Sequence, residues 1–229
     1  MKKILMIAAM MVATVSANAQ FEPGTFSLQP KLGITASWLT NMPDLTVGRA
    51  NTKLDKVPAV GFLIGAEAEY QLTNMFSIAA GVNYSTQGSG WEDYTESSSD
   101  YKAELKEAKI ELGYINVPVV ANVYLFKGFA VKTGVQFGFL TSAKEKGKVK
   151  ITSGSTTVNM DLEDDNSDYK DACKKFDVSI PIGISYQFKA PVTLDLRYNV
   201  GLTKVNKEEA DKNSKNNVVQ LTVGYKFAL

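Results

Sequence analysis

The chain closes on "VVQLTVGYKFAL", where Val219, Leu221, Val223, Tyr225 and Phe227 alternate with Gln220, Thr222, Gly224 and Lys226. Successive strand side chains point to opposite faces, so this is a strand set between two unlike environments. The same period of two recurs in eight segments, near residues 26–39, 59–72, 75–87, 108–126, 129–142, 175–188, 191–204 and 217–228. In "VGFLIGAEAEYQL", Val60, Phe62, Ile64, Ala66, Ala68, Tyr70 and Leu72 share one face, and Glu67, Glu69 and Gln71 lie on the other. The fourth segment changes phase between Leu112 and Ile115, which predicts a bulge near Gly113-Tyr114 to restore the register. Pro118 has no N–H to give a ladder and calls for a bulge or a gap in the pairing.

The connections alternate in length. Residues 72–74, 127–128 and 189–191 are tight turns, whereas 40–58, 88–107, 143–174 and 205–216 are long and polar. That alternation, with an even strand number, is the habit of an up-and-down transmembrane β-barrel whose termini lie on the short-turn, periplasmic side. The expected fold is therefore all-β, an eight-stranded antiparallel barrel. "DYKAELKEAKIEL" reads as strands rising above the membrane in preference to a short helix.

Which face meets lipid follows from the residues on each. Aromatics of the apolar face fall at strand ends, where amphipathic rings sit at headgroups. Phe26, Tyr70, Phe76, Phe129, Tyr186, Phe188, Tyr225 and Phe227 lie at the short-turn end, and Trp38, Phe62, Phe137, Phe139 and Phe176 at the long-loop end. The polar face is glycine-rich, as the crowded lumen of a narrow barrel requires. It carries Lys31, Glu67, Glu69, Lys132, Asp177, Asp195, Arg197 and Lys226, four charges of each sign. Charges in a closed lumen must pair, since unpaired ones there are costly. The apolar face therefore points outward, to outer-membrane lipid.

The first residues supply the compartment. "MKKILMIAAMMVATVSANAQ" has two lysines, a short apolar run and small residues at Ala17 and Ala19, the form of a secretory signal cleaved between Ala19 and Gln20. This divides the chain into a signal peptide, 1–19, and one barrel domain, 20–229. Removing 1–19 leaves 23 basic residues against 24 acidic, a charge of −1 that points to no nucleic acid. The chain has no histidine, which excludes Ser-His-Asp hydrolysis, Cys-His nucleophiles and His-based metal sites. No enzymatic activity is expected. A lone cysteine, Cys173, forbids an intrachain disulfide.

Four stretches stand out together: "YINVPVVANVYLF", "VKTGVQFGFLTSAK", "LDLRYNVGLTKV" with Asp195, Arg197, Tyr198 and Gly201, and the closing "LTVGYKFAL". They resemble the Bacteroidetes-type outer-membrane β-barrel (porin-family) proteins, barrels of the OmpA/OmpX-like eight-stranded kind. Asn116 stands where that family often has Glu, and two residues follow Phe227 where many members end. The resemblance implies an outer-membrane location, and a C-terminal strand read by the barrel-assembly machinery.

Arg197 is the lumen residue to watch, because its planar fork can hold two carboxylates, with Asp195, Glu67 and Glu69 as candidates. Such a group could gate a small pore. The favoured reading is a plug, since eight strands leave an interior just wide enough for side chains. "DLEDDNSD" at 161–168 has Asn166 and Ala172 where an EF-like calcium loop needs Gly and Glu, and "TSGSTT" lacks the lysine of a phosphate loop. No cofactor is expected. The function read from the sequence is an integral outer-membrane barrel with four exposed loops and a structural or surface-interaction role toward a partner the sequence does not name. The alternatives are a small channel for ions or solutes and a soluble periplasmic carrier with its apolar face turned inward.

Overall fold

The structure is a computed structural model, described for residues 21–42, 44–48, 51–98, 101–164, 167–207 and 213–229. The signal-cleavage residues Ala19 and Gln20 lie outside these. The elements are β1 (Phe26–Leu39), β2 (Thr46–Val47), β3 (Thr52–Lys53), β4 (Lys56–Gln71), β5 (Phe76–Trp91), β6 (Tyr94–Ser97), β7 (Tyr101–Phe126), β8 (Phe129–Ser153), β9 (Thr156–Asp164), α1 (Ser167–Ala172), β10 (Phe176–Gln187), β11 (Val192–Gly201), β12 (Asn216–Tyr225) and β13 (Phe227–Ala228).

Eight of these form a ring. β1 pairs β4, then β5, β7, β8, β10, β11 and β12 follow in order, and β12 pairs β1 again. Each pairing is antiparallel between chain neighbours, apart from the closure of the last strand on the first. Closure leaves no unpaired edge in hydrocarbon, where every backbone polar group needs a partner. Among the described residues no helix is long and apolar enough to cross a membrane; the chain crosses with strands.

Alternation becomes an inside and an outside. Leu32, Ile34, Phe62, Ile64, Ile182, Leu196, Leu221 and Val223 stand exposed on the outer surface, while Gln29, Lys31, Glu67, Lys132, Arg197, Gln220 and Thr222 are buried. An aqueous carrier would have the reverse arrangement. The aromatic ends pair across strands: Phe26 with Tyr70 at 4.5 Å and Phe126 with Phe129 at 4.8 Å on one rim, Trp38 with Tyr198 and Phe62 with Tyr84 at 5.8 Å on the other. The Lys127-Gly128 turn needs a left-handed residue, and Gly128 supplies it with φ 79.

Pro118 is accommodated by a gap. β5 pairs Ala80 with Val119 and resumes at Asn83 with Asn116, without changing register. The bulge is displaced from its expected strand. β7 keeps one register against β5 through Tyr114, and against β8 the step from Tyr114–Leu140 to Gly113–Ser142 leaves Thr141 of β8 as the extra residue. Thr141 Oγ1 donates to the Gly113 carbonyl at 2.9 Å. Ile110 and Leu112 therefore face inward with Tyr114, not outward with Ile115.

The long loops at 88–107 and 143–174 are largely sheet. β7 and β8 continue past the ring, Tyr101 pairing with Ser153 at the tip, and β6 and β9 flank them. Alternation simply continues there: Leu105, Val149 and Met160 are cross-strand neighbours, as are Ala103, Ile151 and Val158, while Lys106, Lys148 and Asp161 occupy the opposite face. The result is a four-stranded extracellular sheet rising from one wall of the barrel.

Candidate functional site

The lumen is filled in layers. At mid-height, Lys31 of β1, Glu67 of β4, Lys132 of β8 and Asp195 and Arg197 of β11 meet in one ion-pair chain. Arg197 Nη1 donates to Glu67 Oε1 at 3.0 Å and Nη2 to Glu67 Oε2 at 3.3 Å. Nη2 also donates to Asp195 Oδ2 at 3.3 Å. Lys31 closes on Glu67, and Lys132 on Asp195. Each carboxylate thus faces two cations, the fork geometry that makes arginine the bridging residue.

Glycines make the room. Gly183 is the register partner of both Arg197 and Lys132, Gly81 that of Glu67, and Gly65 and Gly224 those of Lys31. A Cβ at Gly81 would fall 2.5 Å from Glu67 Cγ, and one at Gly183 would fall 2.6 Å from the Leu196 carbonyl and 3.1 Å from Arg197 Cα. Small residues opposite large ones let the charged side chains cross a narrow interior.

Below this layer, toward the short turns, Lys226 Nζ meets Glu69 Oε1 at 2.8 Å and donates to Tyr124 Oη at 3.0 Å. Tyr124 and Ser77 donate to the same carboxylate oxygen at 2.5 and 2.8 Å. Phe21 lies over the Lys226 ammonium, 5.5 Å from ring centre to nitrogen. Above the ion pairs comes an amide layer: Asn116 donates to Asn83 at 3.1 Å and to Ser85 at 2.9 Å, and Asn216 to Gln87 at 2.5 Å.

Asp177 stands apart from the other seven charged residues. It sits at the extracellular end of β10, paired with Gly138, and accepts a hydrogen bond from Thr203. In the acidic stretch 161–168, Asp161 is exposed; the side chains of 163–168 lie outside the described residues.

Sequence reasoning missed the upper seal. Leu39, Met42, Ile110, Leu112, Tyr114, Leu140, Ala143, Cys173 and Val205 form a buried apolar cluster, with Trp91 against it. It closes the extracellular end with residues from the ring and from three loops, which supply Met42, Cys173 and Val205. The signal was present in the phase change at Leu112, which placed two apolar residues on the lumen side. Burial pushes the Cys173 thiol above its usual range, against a smaller opposing effect of Lys207.

Residues 18–207 match a known domain, the outer membrane protein beta-barrel domain. The chain belongs to this family. It is an outer-membrane protein. Similar solved barrels include the attachment invasion locus protein Ail of Yersinia pestis, at 13% identity over 90% of this chain and 99% of that one with a TM-score of 0.39. Neisserial surface protein A matches at 16% over 88% and 97%, with a TM-score of 0.41. OprG of Pseudomonas aeruginosa matches at 9% over 93% and 100%, with a TM-score of 0.41. No curated protein matches the chain.

Proposed function

We propose that this outer-membrane barrel is a sealed anchor whose working surface is extracellular. The observation that carries this reading is the layered filling of the lumen. An apolar seal, an amide layer and an ion-pair chain lie in series, and the largest fully buried side chain among the described residues is Arg197, at the centre of the ion-pair chain. A path for solute would need Arg197 to release Glu67 and Asp195 together, leaving buried charges unpaired at a cost of several kcal/mol. The membrane segment thus holds and orients the four-stranded extracellular sheet.

That sheet is built for contact. Ile151, Val158, Met160 and Leu162 are exposed on its apolar face, and among the described residues β9 pairs only with β8. Soluble surfaces seldom leave such residues together without a partner. The reading assigns the chain no catalytic step, in keeping with its lack of histidine. Lipid contacts the outer belt, and the assembly machinery reads the last strand, where Tyr225 and Phe227 face outward 6.3 Å apart.

Two measurements test this. In planar bilayers the refolded protein gives no conductance above background; a steady single-channel conductance whose size or selectivity Leu112→Ala or Arg197→Ala alters would favour a channel instead. On intact cells, amine-reactive labelling followed by mass spectrometry marks Lys102, Lys106, Lys148 and Lys150. Protection of all four overturns the assigned orientation.

A further inference from the structure

The lower lumen carries more positive charge than its carboxylates balance. Lys31, Lys132, Arg197 and Lys226 face Glu67, Glu69 and Asp195 among the described residues. Lys226 and Glu69 neutralise one another. The remaining chain runs Lys31–Glu67–Arg197–Asp195–Lys132, three cations on two carboxylates. The eighth lumen charge does not correct this. Asp177 lies six residues along β10 from Gly183, the register partner of Lys132, which is roughly 20 Å at strand rise. A surplus charge in so enclosed a place is costly unless a counter-ion attends it.

The open end of that chain adjoins a cavity. A space of about 10 Å³, room for one water-sized species, is lined by Lys132, Lys226, Thr193, Ser185, Gln187 and Gln29, with Tyr124 and the Glu69 carboxylate, which Lys226, Tyr124 and Ser77 already engage. Gly128 also lines it, so it lies toward the short turns and the periplasm. Its lining is rich in donors. Lys132 spends one of its three ammonium protons on Asp195. Thr193 accepts from Gln29 Nε2 at 2.6 Å, which leaves its own O–H to be donated. Among the described residues, no hydrogen bond engages the Ser185 hydroxyl. Gln187 Oε1 is buried without a donor, and turning that amide end for end offers an N–H instead.

We propose that this cavity is a halide site, holding one chloride-sized monovalent anion between the Lys132 ammonium, the Thr193 and Ser185 hydroxyls and the Gln187 amide. Charge decides between an anion and a water molecule: only the anion neutralises the surplus cation of the chain. Among anions, the small space beside Lys132 suits a compact monovalent ion. The bound ion locks the lower plug from the periplasmic side and stabilises the folded barrel by mass action, since the unfolded chain has no such site.

The test uses the full mature chain refolded into lipid. Thermal unfolding is followed in sodium chloride, bromide and gluconate at matched ionic strength. The midpoint is expected to rise by a few degrees in both halides, saturating with concentration, and to stay lower in gluconate. Ser185→Ala loses most of the halide shift, and Thr193→Ser, which keeps its hydroxyl, retains it. Equal midpoints in chloride and gluconate would reduce the effect to general screening and overturn the site, as would a shift that survives in Ser185→Ala. Crystals grown in bromide give a second readout. An anomalous peak beside Lys132 and Thr193 is expected, and water-like density without anomalous signal there ends the proposal. Conductance at background in all these salts leaves the sealed-barrel reading standing whichever way the halide result falls.

Discussion

Arg197 holds both carboxylate oxygens of Glu67 across the lumen, a pair 130 residues apart in the chain, at 3.0 and 3.3 Å. Both side chains are nearly inaccessible, at 1% and 3%. This contact joins β11 to β4, three strands apart around the ring, so it ties the ring through its interior as well as around its circumference.

Removing the guanidinium leaves two carboxylates buried among fewer cations. Arg197→Met should destabilise the barrel by about 3–5 kcal/mol, the usual result of breaking a buried pair from one side. Urea unfolding midpoints in lipid measure this. The double variant Arg197→Met with Glu67→Gln should recover part of the loss; a double variant as weak as the sum of the singles would mean the two residues do not interact.

The outer belt can be probed by depth. Leu196 and Leu221 are register partners on the exposed face near mid-strand, while Tyr225 lies at the short-turn rim. Arginine at Leu221 should cost about 2–4 kcal/mol, and at Tyr225 about 0–1. Comparable losses at the two depths would mean that this face does not cross hydrocarbon. Lysine at Thr222, one residue from Leu221, gives no easy control, because Thr222 packs tightly against Gly33.

Gly81→Val places its Cβ 2.5 Å from Glu67 Cγ and closer still to the Ala66 carbonyl oxygen, so only part of the clash is with a side chain. Overpacking of this kind costs about 1–3 kcal/mol. The loss should shrink when Glu67→Ala is added, since the smaller side chain frees the space; an unchanged loss would assign the role of Gly81 to its backbone alone.

The extracellular sheet should be separable. Glu145 and Asp164 are register partners, so excising 146–163 and closing the gap with a two-residue turn preserves the local spacing. The variant is expected to fold, keeping the heat-dependent shift in gel mobility of a closed barrel. Failure to fold would make the sheet part of the barrel's own stability.

Cys173 should be slow to alkylate while the upper seal is intact. Burial raises its pKa, so at neutral pH less thiolate is present than on a free cysteine, and the reactivity profile moves to higher pH. Iodoacetamide labelling should accelerate on unfolding in urea; equal rates folded and unfolded would show the seal open.

Much of this was legible in one dimension. Strands alternate with a period of two, so a single chain states where each strand runs and which residues share a face, as Val219 to Phe227 and Gln220 to Lys226 do. Turn lengths state the topology, and aromatic ends state the membrane boundaries. The upward extension of β7 is legible in "DYKAELKEAKIEL", whereas that of β8 is not, because polar residues at the tip hide an alternation that continues through Val149 and Ile151. Three things were decided only in three dimensions. The extra residue opposite Gly113 falls on β8, because pairing with a neighbour, not local pattern, chooses which strand of a ladder absorbs a slip. Ile110 and Leu112 thereby turn inward and seal the top. Ring closure brings Arg197 onto Glu67 and keeps Asp177 far from both, since height within a barrel depends on stagger between strands, a quantity that no stretch of sequence carries alone.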